Sequence, residues 1–183
     1  MLYTRKGDVG TTKTFGCDQR ISKSSAIAEA LGTLDEVNSF LGFAKLESYK
    51  ANLSLGDTKV GDIVHRTQEN LFIVQAEVAG APKTIDEAKI KEIENIVDTI
   101  EKELPPIKTF FISGGTEIGS LFDFARTLAR RAERRVVQVS EEGKVKLGDF
   151  TLAYLNRLSS LLYALARHSN HKSGIKEEAP NYK

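Results

Sequence analysis

The sequence predicts an all-α fold: a five-helix bundle with short antiparallel connections, preceded by a polar N-terminal arm. Three observations carry this expectation. Apolar residues recur at helical spacing through five long segments. The breaks between segments, at Ala81-Pro82, Ser113-Gly114-Gly115 and Gly143 to Gly148, are too short for anything but antiparallel neighbours. The one β-prone run, Ile107 to Ile112, is too short and isolated to build a sheet.

The arm, residues 1–23, opens with MLYTRKGDVGTTKTFG and reads as a phosphate-binding segment rather than a folding element. Gly7 and Gly10 allow left-handed backbone and close approach of a ligand. Successive N–H groups in such a turn make a concave anion site, which Thr, Lys and Arg side chains complete. It is not a Walker A loop, because Thr12 precedes Lys13 where that motif requires glycine. Read alone, the stretch also fits an untethered polar terminus.

The first helix, 24–48, places Ile27, Leu31, Leu34 and Leu41 on one row, interrupted by Asn38. Beside it runs a small and polar stripe of Gly32, Asp35, Ser39 and Gly42. Asp35 borders the core, where an unpaired carboxylate is expensive, so an arginine partner from the fourth helix, Arg126, is expected; the alternative is that Asp35 faces solvent. The second helix, 58–80, repeats the pattern with Val60, Val64, Thr67, Leu71, Val74 and Val78. A capping box of Thr84 and Glu87 begins the third. Its inner face is Ile90, Ile93, Val97, Ile100 and Leu104, and Pro105-Pro106 stops it. The fourth runs from about Thr116 to Val139, with Leu121, Ala125, Leu128, Ala132 and Val136 inward. A second stripe holds Asp123, Arg126, Arg130, Glu133 and Arg134, including two like-charge i,i+4 pairs. A solvated basic face is the plain reading of that stripe.

The fifth helix, from about Asp149 to His168, turns Leu155, Leu158, Leu162 and Leu165 inward and leaves Asn156, Ser160, Tyr163 and Arg167 on an adjoining face. Asn156 both donates and accepts, which suits a ribose or base edge as well as an interhelix contact. Ser113-Gly114-Gly115 reads either as an anion site at a helix N-terminus or as a plain helix start. From His171 the tail is polar and expected to fray. His168 and His171 lack a third ligand for a metal.

A chain of 183 residues fits one domain, 1–183, divided into the arm, a bundle over 24–171 and a tail over 172–183. Its hydrophobic content of 40% and charged content of 28% suit a globular protein. The net charge of +1 supplies no overall field for nucleic acid or an acidic membrane, so any anion site is local. The single Cys17 suits a reducing compartment. No membrane-length apolar run or hydrophobic signal core is present, and a cytoplasmic location is expected.

YTRKGDVGTT, ALGTLDEVNSFLGFA, FFISGG, FARTLARRAERRVV and YLNRLSSLLYALAR occur in that order over nearly the whole chain. Together they resemble the PduO-type ATP:cob(I)alamin adenosyltransferases. The resemblance implies a homotrimer of five-helix bundles with active sites between subunits. It implies that Thr4, Arg5, Lys6, Gly7, Asp8, Gly10, Thr12 and Lys13 wrap the triphosphate of ATP, joined by Lys23. Arg130, Arg131, Ala132, Glu133 and Arg134 complete the nucleotide site, with Asn156 from the fifth helix. Asp35 and Arg126 match a salt bridge near the corrinoid, and Phe110 an aromatic that holds the corrinoid without its lower axial ligand. Arg130, Arg126, Asp35 and Phe110 are thus the candidate catalytic and positioning residues.

The implied reaction transfers the 5′-deoxyadenosyl group of ATP to Co(I) of cobalamin and releases triphosphate. Mg²⁺ is held mainly by phosphate oxygens, with no metal ligand assigned to the protein. A reductase and an adenosylcobalamin-dependent enzyme are the implied protein partners. Ser113, Ser160 and Gln75 depart from the family pattern, where proline, aspartate and glycine are common. Two other readings of the residues are a nucleotide-binding regulator without catalysis and a nucleic-acid-binding bundle; the second would show a steep salt dependence that the near-neutral charge disfavours.

Overall fold

The computed structural model describes residues 3–14 and 19–183; Cys17 lies outside them. A short hairpin of β1 (Thr11–Thr12) and β2 (Ile21–Ser22) leads into α1 (Ala26–Lys50). A second hairpin, β3 (Ser54–Leu55) and β4 (Thr58–Lys59), precedes α2 (Val60–Val78), α3 (Glu87–Glu103), α4 (Glu117–Glu141) and α5 (Thr151–Lys172). Both hairpins are antiparallel, and the all-α class expected from the sequence holds. Three helix starts follow from cap chemistry. The side chains of Ser25, Asp86 and Thr116 accept the N–H of Ala28, Lys89 and Gly119 at 3.3, 3.1 and 3.0 Å, satisfying donors that have no partner within the helix. The third helix therefore starts at an Asp86 cap and not at the expected Thr84–Glu87 box. Thr84 donates its hydroxyl to Glu77 Oε1 at 3.0 Å instead.

α4 packs between α1 and α5, α2 lies on α1, and α3 lies on α5. The core is made where the apolar rows meet: Leu34, Leu41, Leu71, Phe122, Val136, Leu155, Leu158, Leu162 and Leu165 are all buried. Leu121 sits at the edge of this core. Asn38, the interruption in the α1 row, is buried too, and its carbonyl accepts from Gln68 Nε2 at 2.9 Å across the α1–α2 contact.

The tail departs from the frayed end that its polarity predicts. α5 continues to Lys172, and the Ile112 N–H donates to the Glu178 carbonyl at 2.8 Å, laying the tail along the 107–112 stretch. His168, expected near a fraying end, is fully buried. Its Nε2 lies 2.9 Å from the Ser54 carbonyl. A carbonyl only accepts, so Nε2 carries the proton and Nδ1 is bare, 3.8 Å from Glu103 Oε2.

Two buried polar groups tie the bundle's ends together. The Glu77 carboxylate, 5% exposed, accepts from the Gly148 N–H, the Thr151 hydroxyl and the Thr84 hydroxyl. It thereby serves the N-terminus of α5, where Phe150 offers no side-chain cap, and its negative charge suits the positive end of the helix dipole. Glu77→Ala leaves these donors unpaired in a buried setting, and is expected to lower the unfolding free energy in urea by about 2–4 kcal/mol. Burial, opposed by the Ser54 hydrogen bond and Glu103, holds the His168 pKa below its ordinary value. The unfolded chain takes up this proton at higher pH than the folded one, so His168's contribution is complete above about pH 6.5 and is lost as pH falls below it. Urea unfolding at pH 7.5 and 5.5 is expected to show this loss, and His168→Gln, which keeps a donor for Ser54, to reduce it.

Candidate functional site

A pocket of about 830 Å³ opens between the N-terminal half of α4, the C-terminal half of α5, the irregular stretch 107–115 and the tail residues 175–178. The stretch 107–115 forms no helix or strand of its own; polar side chains of α5 and a backbone bond to the tail hold it. Asn170 Oδ1 accepts the N–H and hydroxyl of Thr116 at 2.9 and 3.0 Å, and its Nδ2 donates to the Gly114 carbonyl at 2.8 Å. Gly114 and Gly115 have φ of +129° and +108°, and a Cβ on Gly115 would stand 2.6 Å from Asn170 Oδ1. Only glycine permits that turn. Because Asn170 and the Thr116 cap take the N–H groups of Thr116 and Gly119, the loop behaves as a helix start rather than an open anion site.

Phe110 stands on the pocket rim, 79% exposed, an aromatic with no role in the core. Arg126 and Arg130 face it from α4, and Ser160, Tyr163 and Arg167 from α5. The Arg126 guanidinium lies 5.8 Å from the Tyr163 ring centroid and its Nε 3.5 Å from Asp123 Oδ1, yet that Nε is buried without a hydrogen bond. Burial first, then the charges of Glu177 and Asp123, raise the Tyr163 pKa against the opposing arginines. Tyr163 is therefore a neutral donor. Ser113 and Ser160, two of the departures from the family pattern, both line this pocket.

The expected Asp35–Arg126 pair is not formed within the chain. Asp35 is exposed on α1, because the core row of Leu34, Val37 and Leu41 turns it outward. Neighbouring arginines are divided by the helix period. Arg131 pairs with Glu36 and Arg135 with Glu29, fastening α4 to α1, whereas among the described residues Arg130 and Arg134 are not ion-paired and remain exposed. Ala132 is buried in the core, so only its backbone is available to a ligand. Asn156 Nδ2 donates to Glu133 Oε1 at 3.1 Å, bringing the α5 asparagine to the arginine helix.

The arm is a folding element after all. Gly10 N–H donates to the Gly7 carbonyl at 3.1 Å and Lys23 N–H to the Gly10 carbonyl at 2.9 Å, with Gly10 at φ +78° and Arg5 at φ +57°. Arg20 holds the loop from outside: its Nε donates to Thr11 Oγ1 at 2.8 Å and its Nη2 to the Thr11 and Lys6 carbonyls. A Cβ on Gly7 would lie 3.2 Å from Lys23 Nζ, so the two are neighbours. Thr4, Arg5, Lys6, Asp8 and Lys13 are exposed. The arm does not contribute to the lining of the 830 Å³ pocket; it sits at the N-terminal end of α1, the end where Glu29 meets Arg135. Sequence reasoning missed Arg20 and Asn170. Both act on backbone carbonyls or amides far along the chain, which leaves no local pattern; the only signal was a polar side chain beside a glycine turn or on an otherwise buried helix face.

Among the described residues, no group of three or more His, Cys, Asp or Glu side chains could hold a metal, and no helix is long and apolar enough to cross a membrane.

A profile of the family described as Cobalamin adenosyltransferase matches residues 2–169. The chain is 39% identical over 177 residues to the Corrinoid adenosyltransferase PduO of Citrobacter freundii, an alignment covering 93% of this chain and 50% of the relative. With the PduO of Salmonella typhimurium the identity is again 39%, over 97% of this chain and 53% of the relative. The chain thus spans about half the length of these two relatives. Against the Corrinoid adenosyltransferase of Bacillus subtilis it is 37% identical, covering 95% of this chain and 89% of the relative. The solved structure of a variant PduO-type ATP:corrinoid adenosyltransferase from Lactobacillus reuteri, complexed with cobalamin and ATP, matches with a TM-score of 0.88 at 28% identity, over 100% of this chain and 97% of that one. A second variant of that protein, complexed with ATP, gives a TM-score of 0.85 at 27% identity, over 98% of this chain and 100% of that one. With the family profile spanning the arm and all five helices, the chain belongs to the cobalamin adenosyltransferase family.

Proposed function

We propose that this chain transfers the 5′-deoxyadenosyl group of ATP to the cobalt of a reduced corrinoid, releasing triphosphate. The observation that carries this reading is the exposed Phe110 lining an 830 Å³ pocket to which α4 contributes Arg126 and Arg130. An apolar face for a corrin ring thus adjoins Arg130, a cation for a leaving polyphosphate, with Arg126 on the corrinoid side. Co(I) gives an electron pair to C5′ of the ribose; the C5′–O bond breaks, and triphosphate leaves with the bonding pair. Cobalt is itself the nucleophile, so the protein needs no Ser-His-Asp triad. Its tasks are alignment and charge stabilisation.

In this reading Thr4, Arg5, Lys6, Gly7, Asp8, Gly10, Thr12, Lys13 and Lys23 enclose the triphosphate, with Arg20 holding their loop. Arg130, Arg131, Glu133, Arg134, the backbone at Ala132 and Asn156 complete the nucleotide site. Mg²⁺ bound to phosphate oxygens would add charge neutralisation. The separation of the arm from the pocket supports a homotrimer in which one subunit's arm serves another's arginine helix. The exposed Asp35 and the incompletely bonded Arg126 likewise support a salt bridge made between copies. A cytoplasmic enzyme supplied by a reductase and drained by an adenosylcobalamin-dependent enzyme completes the proposal.

The direct test follows adenosylcobalamin by absorbance while measuring triphosphate, with reduced cobalamin and Mg-ATP. Equimolar formation of both is expected; ATP binding with neither product would leave a nucleotide sensor. Arg130→Ala is expected to lower kcat/KM for ATP on the order of 10²–10³-fold while circular dichroism shows an intact bundle, since it removes a cation facing the leaving group and nothing from the core. Full turnover by the folded variant would remove Arg130 from the site. Phe110→Ala is expected to retain ATP affinity in calorimetry but lose the spectroscopic signature of four-coordinate Co(II). A parallel fall in ATP affinity would place Phe110 in the wrong site.

A further inference from the structure

Arg167 is only 6% exposed, yet it joins three separate stretches of chain. Its Nε and Nη2 donate to the two carboxylate oxygens of Glu177 at 2.7 and 2.8 Å. Nη2 also donates to the Pro105 carbonyl at 3.0 Å, and the guanidinium carbon lies 5.3 Å from the Phe111 ring centroid. Next to Glu177, the Glu178 carbonyl accepts the Ile112 N–H, and the Ile175 N–H returns to the Asn170 carbonyl at 2.9 Å. Phe110 therefore lies on an irregular stretch anchored at Pro105, Phe111 and Ile112 by Arg167 or the tail.

A buried guanidinium without its carboxylate is costly, so the fork of hydrogen bonds keeps the tail in place. A stretch with no ladder or helix of its own loses its preorganisation when such anchors go, and ligand affinity falls with it.

We propose that the Arg167–Glu177 clasp is a positioning device for Phe110: it sets the tail and the 107–112 stretch as one wall of the pocket and so governs affinity for the corrinoid ring, leaving the nucleotide alone. The identity of that ligand rests on the function proposed above; the clasp itself rests on these contacts.

The test uses the full chain with Glu177→Ala, and with Glu177→Gln, which keeps one acceptor for Arg167. Three quantities are read: hydrogen exchange of the Ile112 amide without ligand, cob(II)alamin affinity with Mg-ATP present, and ATP affinity. Glu177→Ala is expected to speed Ile112 exchange and weaken cob(II)alamin binding about tenfold, with ATP affinity unchanged and Glu177→Gln intermediate. Wild-type exchange and wild-type corrinoid affinity in both variants would overturn the proposal, as would an equal loss of ATP affinity. Should the wild-type chain bind no cob(II)alamin, the proposed function fails, while unchanged Ile112 exchange would still separately refute the clasp.

Discussion

The periodicity of α4 is the constraint on which the rest depends. Ala125, Leu128, Ala132 and Val136 must face the core between α1 and α5, and at 3.6 residues per turn that choice settles the direction of every other residue on the helix. Arg131 and Arg135 then fall over α1 and are neutralised by Glu36 and Glu29. Arg126 and Arg130 fall toward the pocket. The same hydrophobic burial that folds the bundle thus sorts one arginine cluster into cations paired across to α1 and cations that line the pocket. Their mutual repulsion is tolerated because each like-charge pair costs only a few tenths of a kcal/mol in an exposed helix.

The pocket beside this helix is built on a different principle. The stretch carrying Phe110 makes no ladder, and its shape comes from polar side chains at the end of α5 and one backbone bond to the tail. Asn170 clamps the Gly114-Gly115 turn, and Arg167 links Pro105, Phe111 and Glu177. Both sit on the last turns of α5, whose first turn is served by Glu77. The same helix thus holds the irregular wall at one end and depends on a buried carboxylate at the other. Such bonds are made to backbone or to charged partners away from water, where leaving a group unmatched is costly.

Much was legible in the sequence because it depends on short-range pattern. Five apolar rows gave five helices within a few residues of their ends, and the arginine stripe of α4 followed from spacing alone. The first and third helices show where legibility stops. Thr84 and Glu87 match a capping box, but Asp86 was the better cap once Glu77 had engaged Thr84. Asp35 looked bound for an arginine, but a neighbouring core row turned it to solvent. In each case another demand outranked the local motif: the buried Glu77 took the Thr84 hydroxyl, and burial of Leu34, Val37 and Leu41 fixed the direction of Asp35.

The sequence by itself determined the helices, their inward faces and the chemical types gathered in the arm and on α4, since burial of apolar rows and glycine's conformational freedom are local properties. Only the tertiary structure decided which charges are paired and where loop and tail run. The tail became a wall because Arg167 needed a carboxylate in a buried place. The arm became a hairpin because Arg20 reached back to the carbonyls of Lys6 and Thr11. Matching a buried or unpaired polar group depends on three-dimensional proximity, and that exists only after the helices have packed.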